Sequence, residues 1–327
     1  MLSFSNLIVP SSWASTANAF SDAAHLATRE LALKLELITP NAVHQFDAGK
    51  FALLSGLAYP NATLERFKVC NDWHSWLFFF DDQADEHAEL GEQLLTLRDY
   101  MDACLAVLRT GAIRSNPAGL ELFILNIRDQ LLGIASEAWL SRFVDDVEDY
   151  LFKGTLRATE KWINGTVPDV ESYRVQRRYD SAVYTCQDLI EITEEGLELS
   201  AEILTDANFQ KLRLLCAQIV AFTNDLFSYE KEVLVHRDPN NLLHVLMTHR
   251  SLSLEEATSQ AVKMINTDVE TFITYEQALL PKIERDKRVR ACVHGMKAWM
   301  RGNILWSLET GRYSFVTSPF PELRLTD

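Results

Sequence analysis

Three aspartates lie close together at the end of a segment rich in aromatic residues. Asp81 and Asp85 are four residues apart, Asp82 follows the first, and residues 78–80 are all phenylalanine. On a helix, a spacing of four places Asp81 and Asp85 on one face, where like charges repel unless a cation lies between them. Carboxylates are the ligands that Mg²⁺ takes, with water and substrate phosphates completing its shell. The segment predicts a metal site at the end of an apolar wall; the alternative is a solvated acidic helix end.

A second group of oxygen-bearing side chains recurs every four residues. Asn224, Ser228 and Glu232 therefore project along one stripe of a predicted helix, after apolar residues at Ala217 and Val220. An amide, a hydroxyl and a carboxylate in a row form a chelate of low charge, which fits a divalent cation shared with an anionic ligand. Taken alone, this spacing is more typical of an exposed polar stripe.

Two further pairs of residues could donate hydrogen bonds to an anion. Arg177 and Arg178 are adjacent in a predicted helix, and Arg312 and Tyr313 follow a predicted helix end at Gly311. A guanidinium can bind phosphate oxygens through two parallel N–H donors. Taken alone, the pair Arg177-Arg178 is more typical of a surface position, and the alternative for Arg312-Tyr313 is charge placement at a helix end.

The elements that must position these residues are predicted to be helices. Apolar residues recur at three- and four-residue spacing over 22–38, 47–58, 63–86, 92–110, 119–133, 136–163, 170–195, 206–235, 254–278 and 284–309. Strand patterns are scarce, and no internal repeat or flexible linker divides the chain. We predict an all-α fold with a single domain over 1–327, an irregular N-terminal segment over 1–20 and a loose C-terminal tail over 316–327.

Composition excludes several classes of protein. Only 12 glycines and 9 prolines occur in 327 residues, which disfavours turn-rich all-β architectures. The net charge of -15 opposes binding to nucleic acid and stable association with an anionic membrane. The five cysteines are scattered without a CxxC pair, which is typical of reduced thiols. The sequence shows neither a signal-peptide pattern nor a long uncharged apolar run, so we expect a cytoplasmic protein.

Together and in this order, the four motifs resemble those of class I terpene synthases of the bacterial type. Asp81-Asp82-Gln83-Ala84-Asp85 is similar to the family's DDxxD motif, and Asn224, Ser228 and Glu232, with Lys231, match its NSE triad. Arg178 lies 46 positions before Asn224, the family's spacing for its diphosphate-sensing arginine, and Arg312-Tyr313 matches the C-terminal RY pair. The resemblance covers residues 47–315 and implies a single-domain helical bundle around a central apolar cavity.

The family's chemistry assigns roles to these residues. The resemblance implies three Mg²⁺ ions, with Mn²⁺ as a substitute, bound by Asp81, Asp85, Asn224, Ser228 and Glu232. It implies binding of the diphosphate of a linear prenyl substrate by Arg178, Lys231, Arg312 and Tyr313. Asp82 is expected to orient Arg178 rather than to bind metal. The candidates for an aromatic cavity wall are Phe78, Phe79, Trp306 and Tyr59.

The residues after the sensor arginine depart from the family's pattern. Counting from Arg178, Ser181 stands where the family often has a linker residue, and Ala182 stands where it often has a glycine effector that acts through its carbonyl. Alternatively, Arg177 is the sensor and Asp180 the linker, one residue earlier. The sequence leaves this frame open, and the 46-residue spacing favours Arg178.

The resemblance predicts a lyase that ionises a linear prenyl diphosphate and cyclises the carbocation to a terpene hydrocarbon or alcohol. Farnesyl diphosphate is the expected substrate, geranylgeranyl diphosphate is the alternative, and a C10 substrate also stays open. A chain-elongating prenyltransferase would carry a second aspartate-rich motif in place of the NSE stripe. A helical module that only shelters an apolar ligand would be indifferent to Mg²⁺. Product skeleton, water capture or proton loss, and monomer or homodimer all stay open.

Overall fold

The computed structural model describes residues 3–86 and 92–324, without the side chains of residues 83–86 and 92–93. These residues are almost entirely helical, and their β pairing is a single bridge between Phe315 and Arg324. The all-α prediction is confirmed. The α-helices are α1 (Ser21–Lys34), α2 (Val43–Gly49), α3 (Phe51–Ala58), α4 (Leu64–Glu86), α5 (Glu92–Thr110), α6 (Gly119–Ile134), α7 (Glu137–Glu148), α8 (Leu156–Ile163), α9 (Val170–Asp180), α10 (Val183–Asp188), α11 (Ala201–Leu204), α12 (Ala207–Tyr229), α13 (Leu242–Arg250), α14 (Leu254–Arg285) and α15 (Lys287–Glu309).

Two segments of wider π-helix interrupt the α-helical pattern. Asp149–Thr155 joins α7 to α8, and Glu230–Val235 continues α12. A π-helical turn holds one more residue than an α-helical turn, so it rotates the following side chains relative to the preceding ones. Both segments lie beside the candidate site described below.

Helix α12 lies at the centre of the bundle, packed against α14 and α15. Asp206 caps its start by accepting hydrogen bonds from the backbone N–H groups of Asn208 and Phe209. Nearly every side chain from Leu215 to Tyr229 is buried, as expected for a helix that is apolar all round. Its polar residues must therefore be satisfied by other protein groups or by a ligand.

Backbone conformations that the sequence does not reveal divide two of the predicted helices. Lys50 has φ 48° and separates α2 from α3, and Ala182 has φ 56° and separates α9 from α10. A residue in the left-handed conformation ends a helix and is usually a glycine. A lysine and an alanine at these positions therefore do not indicate in the sequence that the helices end there. The structure also adds α13, which lies outside every predicted helical range, and α14 continues through Pro281.

The two termini pack against each other. Residues 3–20 are irregular apart from a 3-10 turn at Ser11–Trp13. Phe320 is fully buried and stacks on Phe4 with ring centroids 4.5 Å apart, and the Phe4 N–H donates to Glu322 Oε1 at 3.0 Å. Residues 316–324 are thus docked by apolar burial where the sequence predicts a loose tail, and residues 325–327 lie outside the described part. No described helix has the length and apolar character needed to span a bilayer.

Candidate active site

A cavity lies among α3, α4, α9, α10, α12 and α15. Its apolar wall includes Leu54, Leu77, Phe78, Val183, Val220, Ala221, Trp299 and Trp306. Its charged and polar lining includes Asp81, Arg177, Asp180, Ser181, Asn224, Lys231, Glu232, Arg312 and Tyr313. The side chain of Asp81 is 55% exposed, so the cavity opens to solvent at the end of α4. The two acidic motifs, far apart in sequence, therefore share one cavity.

Asp82 forms an ion pair across the opening. Its two oxygens accept from Arg312 Nη1 and Nη2 at 2.9 and 2.8 Å, and Lys231 Nζ lies 3.4 Å from its Oδ1. Burial alone would raise the pKa of Asp82, but the charges of Arg312 and Lys231 lower it to about 2. The sequence-based partner, Arg178, is not among its contacts. Asp81 lies 4.0 Å from Arg312 Nη2, and the side chain of Asp85 lies outside the described residues.

Asn224 connects three parts of the site. Its Oδ1 accepts from Arg177 Nη2 at 3.0 Å, and its Nδ2 donates to the Tyr313 hydroxyl at 2.8 Å. These contacts join α12 to α9 and to the 3-10 turn Gly311–Tyr313. Burial raises the pKa of Tyr313, so its hydroxyl keeps its proton as a hydrogen-bond donor.

Ser228 follows Asn224 on α12, and Glu232 lies in the π-helical segment that continues it. Ser228 is fully buried, is not among the cavity-lining residues, and donates its hydroxyl hydrogen to the Asn224 carbonyl at 2.9 Å. Its oxygen lone pairs stay available as acceptors. Glu232 lies in the π-helical continuation and lines the cavity, and its Oε2 accepts from Asn241 Nδ2 at 2.9 Å.

The structure places Arg177, not Arg178, in the cavity wall. Arg177 is buried and donates from Nε to Asp225 Oδ1 at 2.9 Å, with Asp180 Oδ2 3.5 Å from its Nη1. Arg178 lies over the ring of Tyr179 at 5.0 Å and does not line the cavity. Adjacent helical residues point about 100° apart, so only one of the two arginines can face the site.

The turn after α9 also favours Arg177, rather than Arg178, as the residue at the sensor position. The Ala182 carbonyl accepts from the N–H groups of Thr185 and Cys186 and, at 2.7 Å, from the Thr185 hydroxyl, so it is engaged in starting α10. That leaves it poorly placed as an effector carbonyl. With Arg177 as sensor, Asp180 and Ser181 occupy the third and fourth positions; both line the cavity, as does Ala182. Burial raises the pKa of Asp180 to about 6 despite the charge of Arg177.

Two of the four aromatic candidates face the cavity. Phe78 and Trp306 line it and contact each other, with ring centroids 5.4 Å apart. Phe79 points away and stacks on Phe46 at 5.8 Å, because it lies about 100° further around α4. Tyr59 is buried behind the wall and is not a lining residue.

Two buried residues that support the site belong to no motif. The second carboxylate oxygen of Asp225, Oδ2, accepts from the Tyr173 hydroxyl at 2.6 Å and from the Leu242 N–H at 3.0 Å. Asn241 donates both to Glu232 and to the Asp225 carbonyl. A charged residue inside an otherwise apolar helix must have partners, and this signal could have identified Asp225 from the sequence.

The residues present fit a hard divalent cation. The donors that line the cavity are the carboxylates of Asp81 and Glu232 and the amide of Asn224, and the hydroxyl of Ser228 is buried behind them; all are oxygen ligands. Among the described residues, no three His, Cys, Asp or Glu side chains converge into a metal site of their own. A bound ion would therefore need the amide, the hydroxyl and oxygens from a ligand to complete its shell. Burial raises the pKa of Glu232, and a cation beside it would offset that cost.

Comparison with known proteins identifies a family whose sequences match this chain. Residues 72–271 match the family described as terpene synthase family 2, C-terminal metal binding. Germacrene A synthase of Nostoc punctiforme is 32% identical over 302 residues, which cover 91% of this chain and 92% of that protein. (+)-T-muurolol synthase of Roseiflexus castenholzii is 30% identical over 310 residues, which cover 94% and 93%.

Solved structures show the same fold. The crystal structure of α-eudesmol synthase superimposes with a TM-score of 0.81 at 20% identity, covering 91% of this chain and 97% of that one. Hedycaryol synthase gives a TM-score of 0.74 at 21% identity, covering 89% and 94%. At such identities the solved structures establish only the fold, whereas the sequence relatives establish membership of the family. The chain belongs to the terpene synthase family, whose members are lyases that act on diphosphates.

Proposed function

We propose that the protein is a Mg²⁺-dependent sesquiterpene cyclase that ionises farnesyl diphosphate and cyclises the resulting carbocation. The observation that carries this proposal is the shared cavity, whose lining includes Asp81, Asn224 and Glu232 together with the aromatic rings of Phe78 and Trp306. The name of the T-muurolol relative states that it cyclises (2E,6E)-farnesyl diphosphate. This favours farnesyl over geranylgeranyl diphosphate.

The polar end of the cavity would bind the diphosphate. Asp81, Asn224, Ser228 and Glu232, with Asp85, would hold three Mg²⁺ ions, which as Lewis acids stabilise the negative charge that develops on the leaving group. Arg177, Lys231, Arg312 and Tyr313 would donate to the diphosphate oxygens. These donors are already held in place by neighbouring groups, so they need little rearrangement as the C–O bond breaks.

The apolar end would shape the carbocation. Phe78 and Trp306 present aromatic rings to the cavity, and such rings stabilise a cation by about 0.5–2 kcal/mol each. Burial of the apolar wall among α4, α12 and α15 would limit the access of water to the carbocation during cyclisation. This combination of a diphosphate-binding end and a dry end distinguishes a cyclase from a module that only stores an apolar molecule.

The cysteines support a cytoplasmic location. All five are buried and unpaired, which suits a reducing compartment. No metal or substrate contact depends on them in this proposal.

The proposed function is tested by supplying geranyl, farnesyl or geranylgeranyl diphosphate with Mg²⁺ or Mn²⁺ and measuring diphosphate release and volatile products. We expect cyclic products from farnesyl diphosphate and none after chelation by EDTA. Asp81→Ala and Glu232→Ala should reduce turnover by at least about 10²-fold, since each removes a carboxylate from the metal-binding set. Circular dichroism checks that both variants fold.

Glu202→Ala is the matched control, because this glutamate is exposed on α11, outside the cavity. Its turnover should equal that of the wild type. Undiminished turnover in folded Asp81→Ala or Glu232→Ala, or formation of a longer prenyl diphosphate in place of a cyclic product, would contradict the proposal.

A further inference from the structure

One amide side chain lies within the apolar wall of the cavity. Asn303 lines the cavity from α15, four residues after Trp299 and three before Trp306, so the three side chains share one helix face. It lies six residues, or about 9 Å, before the end of α15 at Glu309, which leads to the turn that carries Arg312. The amide therefore lies deeper than the diphosphate-binding end, and it belongs to none of the four motifs.

The orientation of this amide is fixed by α12. Asn303 Nδ2 donates to the Val220 carbonyl at 3.3 Å and to Thr223 Oγ1 at 3.1 Å. The Thr223 hydroxyl has its own acceptors in the carbonyls of Ile219 and Val220, at 2.7 and 2.9 Å, so it meets the amide with a lone pair. A flipped amide would set Oδ1 against the Val220 carbonyl without a hydrogen between the two oxygens. The nitrogen thus faces α12, and the oxygen faces away from it.

The amide oxygen has no partner within the protein. Asn303 is 3% exposed, and no described residue donates a hydrogen bond to its Oδ1. The oxygen is not among the unpaired polar atoms that protein atoms enclose completely. Because the residue lines the cavity, its accessible oxygen faces the cavity interior. An unpaired carbonyl oxygen in an apolar wall costs free energy, which a positively charged ligand would offset.

The surroundings of this oxygen suit a carbocation better than a water molecule. A buried water typically makes about three hydrogen bonds. Neither neighbouring indole can supply one, because the Trp306 N–H donates to the Gly49 carbonyl at 2.9 Å and the Trp299 N–H is enclosed by protein atoms. A carbocation needs no hydrogen bonds. It is attracted to the negative end of a fixed amide dipole and to the faces of aromatic rings.

We propose that the Asn303 carbonyl oxygen stabilises one carbocation of the cascade by ion–dipole attraction and so determines which product forms. This inference rests on the proposed cyclase function. The attraction acts after the C–O bond of the substrate has broken, because the diphosphate is bound at the other end of the cavity. No bond to Asn303 forms or breaks. A cation whose charge lies beside the oxygen is favoured over its isomers, so the cascade proceeds through it.

The main test replaces the amide with an apolar side chain of similar size. Asn303→Leu removes the oxygen, and Asn71→Leu is the matched control. Asn71 is a buried amide on α4, outside the cavity, whose unpaired Oδ1 is enclosed by protein atoms. Each purified protein is given farnesyl diphosphate and Mg²⁺, and both diphosphate release and the product distribution are measured.

The two leucine variants should differ in their products rather than in their rates. We expect Asn303→Leu to release diphosphate within about threefold of the wild-type rate, because ionisation takes place at the polar end. Its share of the main product should fall at least about fivefold, with acyclic and less cyclised products increasing. Asn71→Leu should keep the wild-type product distribution.

Thr223→Val separates the effect of the dipole from the effect of shape. Thr223 is fully buried, does not line the cavity, and is close to valine in volume. The substitution removes the acceptor that orients the Asn303 amide, so the share of the main product should fall at least about twofold. If Asn303 acted only through its shape, Thr223→Val would leave the products unchanged.

Unchanged products from folded Asn303→Leu or from Thr223→Val would overturn the role of the amide oxygen while leaving the cyclase function intact. An equal change of products in Asn71→Leu would also overturn it, because the effect would then not depend on the cavity. A wild type that releases no diphosphate would instead overturn the proposed function, and this inference with it. Should Asn303→Leu not fold, the product distribution of Thr223→Val decides.

Discussion

Arg177 and Asp225 form a buried ion pair at the wall of the cavity, with Nη2 2.8 Å from Oδ1. The same guanidinium reaches Asn224, so one arginine spans α9 and two neighbouring residues of α12. Removing either side chain would leave the charge of the other buried without a partner, which is strongly destabilising. The pair thus fixes the position of α9 relative to the candidate metal ligands.

The two adjacent arginines are predicted to differ strongly on substitution. Arg177→Lys should lower kcat/KM at least about 10²-fold, because lysine cannot bond Asp225 and Asn224 together while facing the cavity. Arg178→Lys should stay within about threefold of the wild type, because this side chain lies over Tyr179 outside the cavity. Steady-state kinetics of the two variants checks this. A larger loss of kcat/KM in Arg178→Lys than in Arg177→Lys would instead support Arg178 as the sensor.

Arg312 is predicted to matter through its paired N–H donors. Arg312→Lys should lower kcat/KM by about tenfold or more, because an ammonium cannot form the two parallel bonds that now reach Asp82. Asp82→Asn keeps one acceptor oxygen and should lose less. Calorimetry with inorganic diphosphate and Mg²⁺ provides a second measurement, with weaker binding expected for Arg312→Lys. Equal affinity in Arg312→Lys and the wild type would exclude this role.

Gly154 is predicted to hold the turn after α9 in place. A Cβ there would lie 2.7 Å from both N and Cα of Asp180, so alanine must displace backbone rather than a flexible side chain. We expect Gly154→Ala to reduce activity at least about tenfold and to destabilise the fold by about 1–3 kcal/mol. Gly133→Ala on α6 is the matched control, since nothing lies within 4 Å of its added Cβ. It should be neutral or stabilising, as alanine favours helices. Activity assays and urea unfolding of both variants test this prediction, and equal effects of the two substitutions would contradict it.

The sequence predicts the helical architecture and the residues that carry chemistry better than it predicts their partners. Asp81, Asn224 and Glu232 follow from the spacing of oxygen ligands, and the structure brings them to one cavity. The choice between Arg177 and Arg178 could not be made, because it depends on which direction α9 faces. That direction is set partly by the left-handed backbone conformation of Ala182, which the sequence does not predict for an alanine.

Partners across the bundle are invisible in a linear pattern for a related reason. The pairing of Asp82 with Arg312 joins residues separated by 230 positions, and it depends on how α4 packs against the end of α15. His74 gave no signal either, since a histidine on an apolar helix face is usually an ordinary core residue. Its burial, which lowers its pKa, is visible only in the structure.

The stability of the protein is predicted to depend on pH through His74. Its pKa is about 3 in the folded state and about 6.5 in the unfolded chain, so between these values the unfolded chain binds more protons. The stabilisation from a neutral buried ring is complete above about pH 6.5 and is lost as pH falls toward 3. From pH 7 to pH 5 the wild type should lose about 2 kcal/mol of unfolding free energy that His74→Gln does not lose. Urea unfolding at constant ionic strength measures both, and His244→Gln, whose ring is only half-buried, should show a smaller departure from the wild type. Parallel losses in the wild type and His74→Gln would show that the ring is not held neutral by burial.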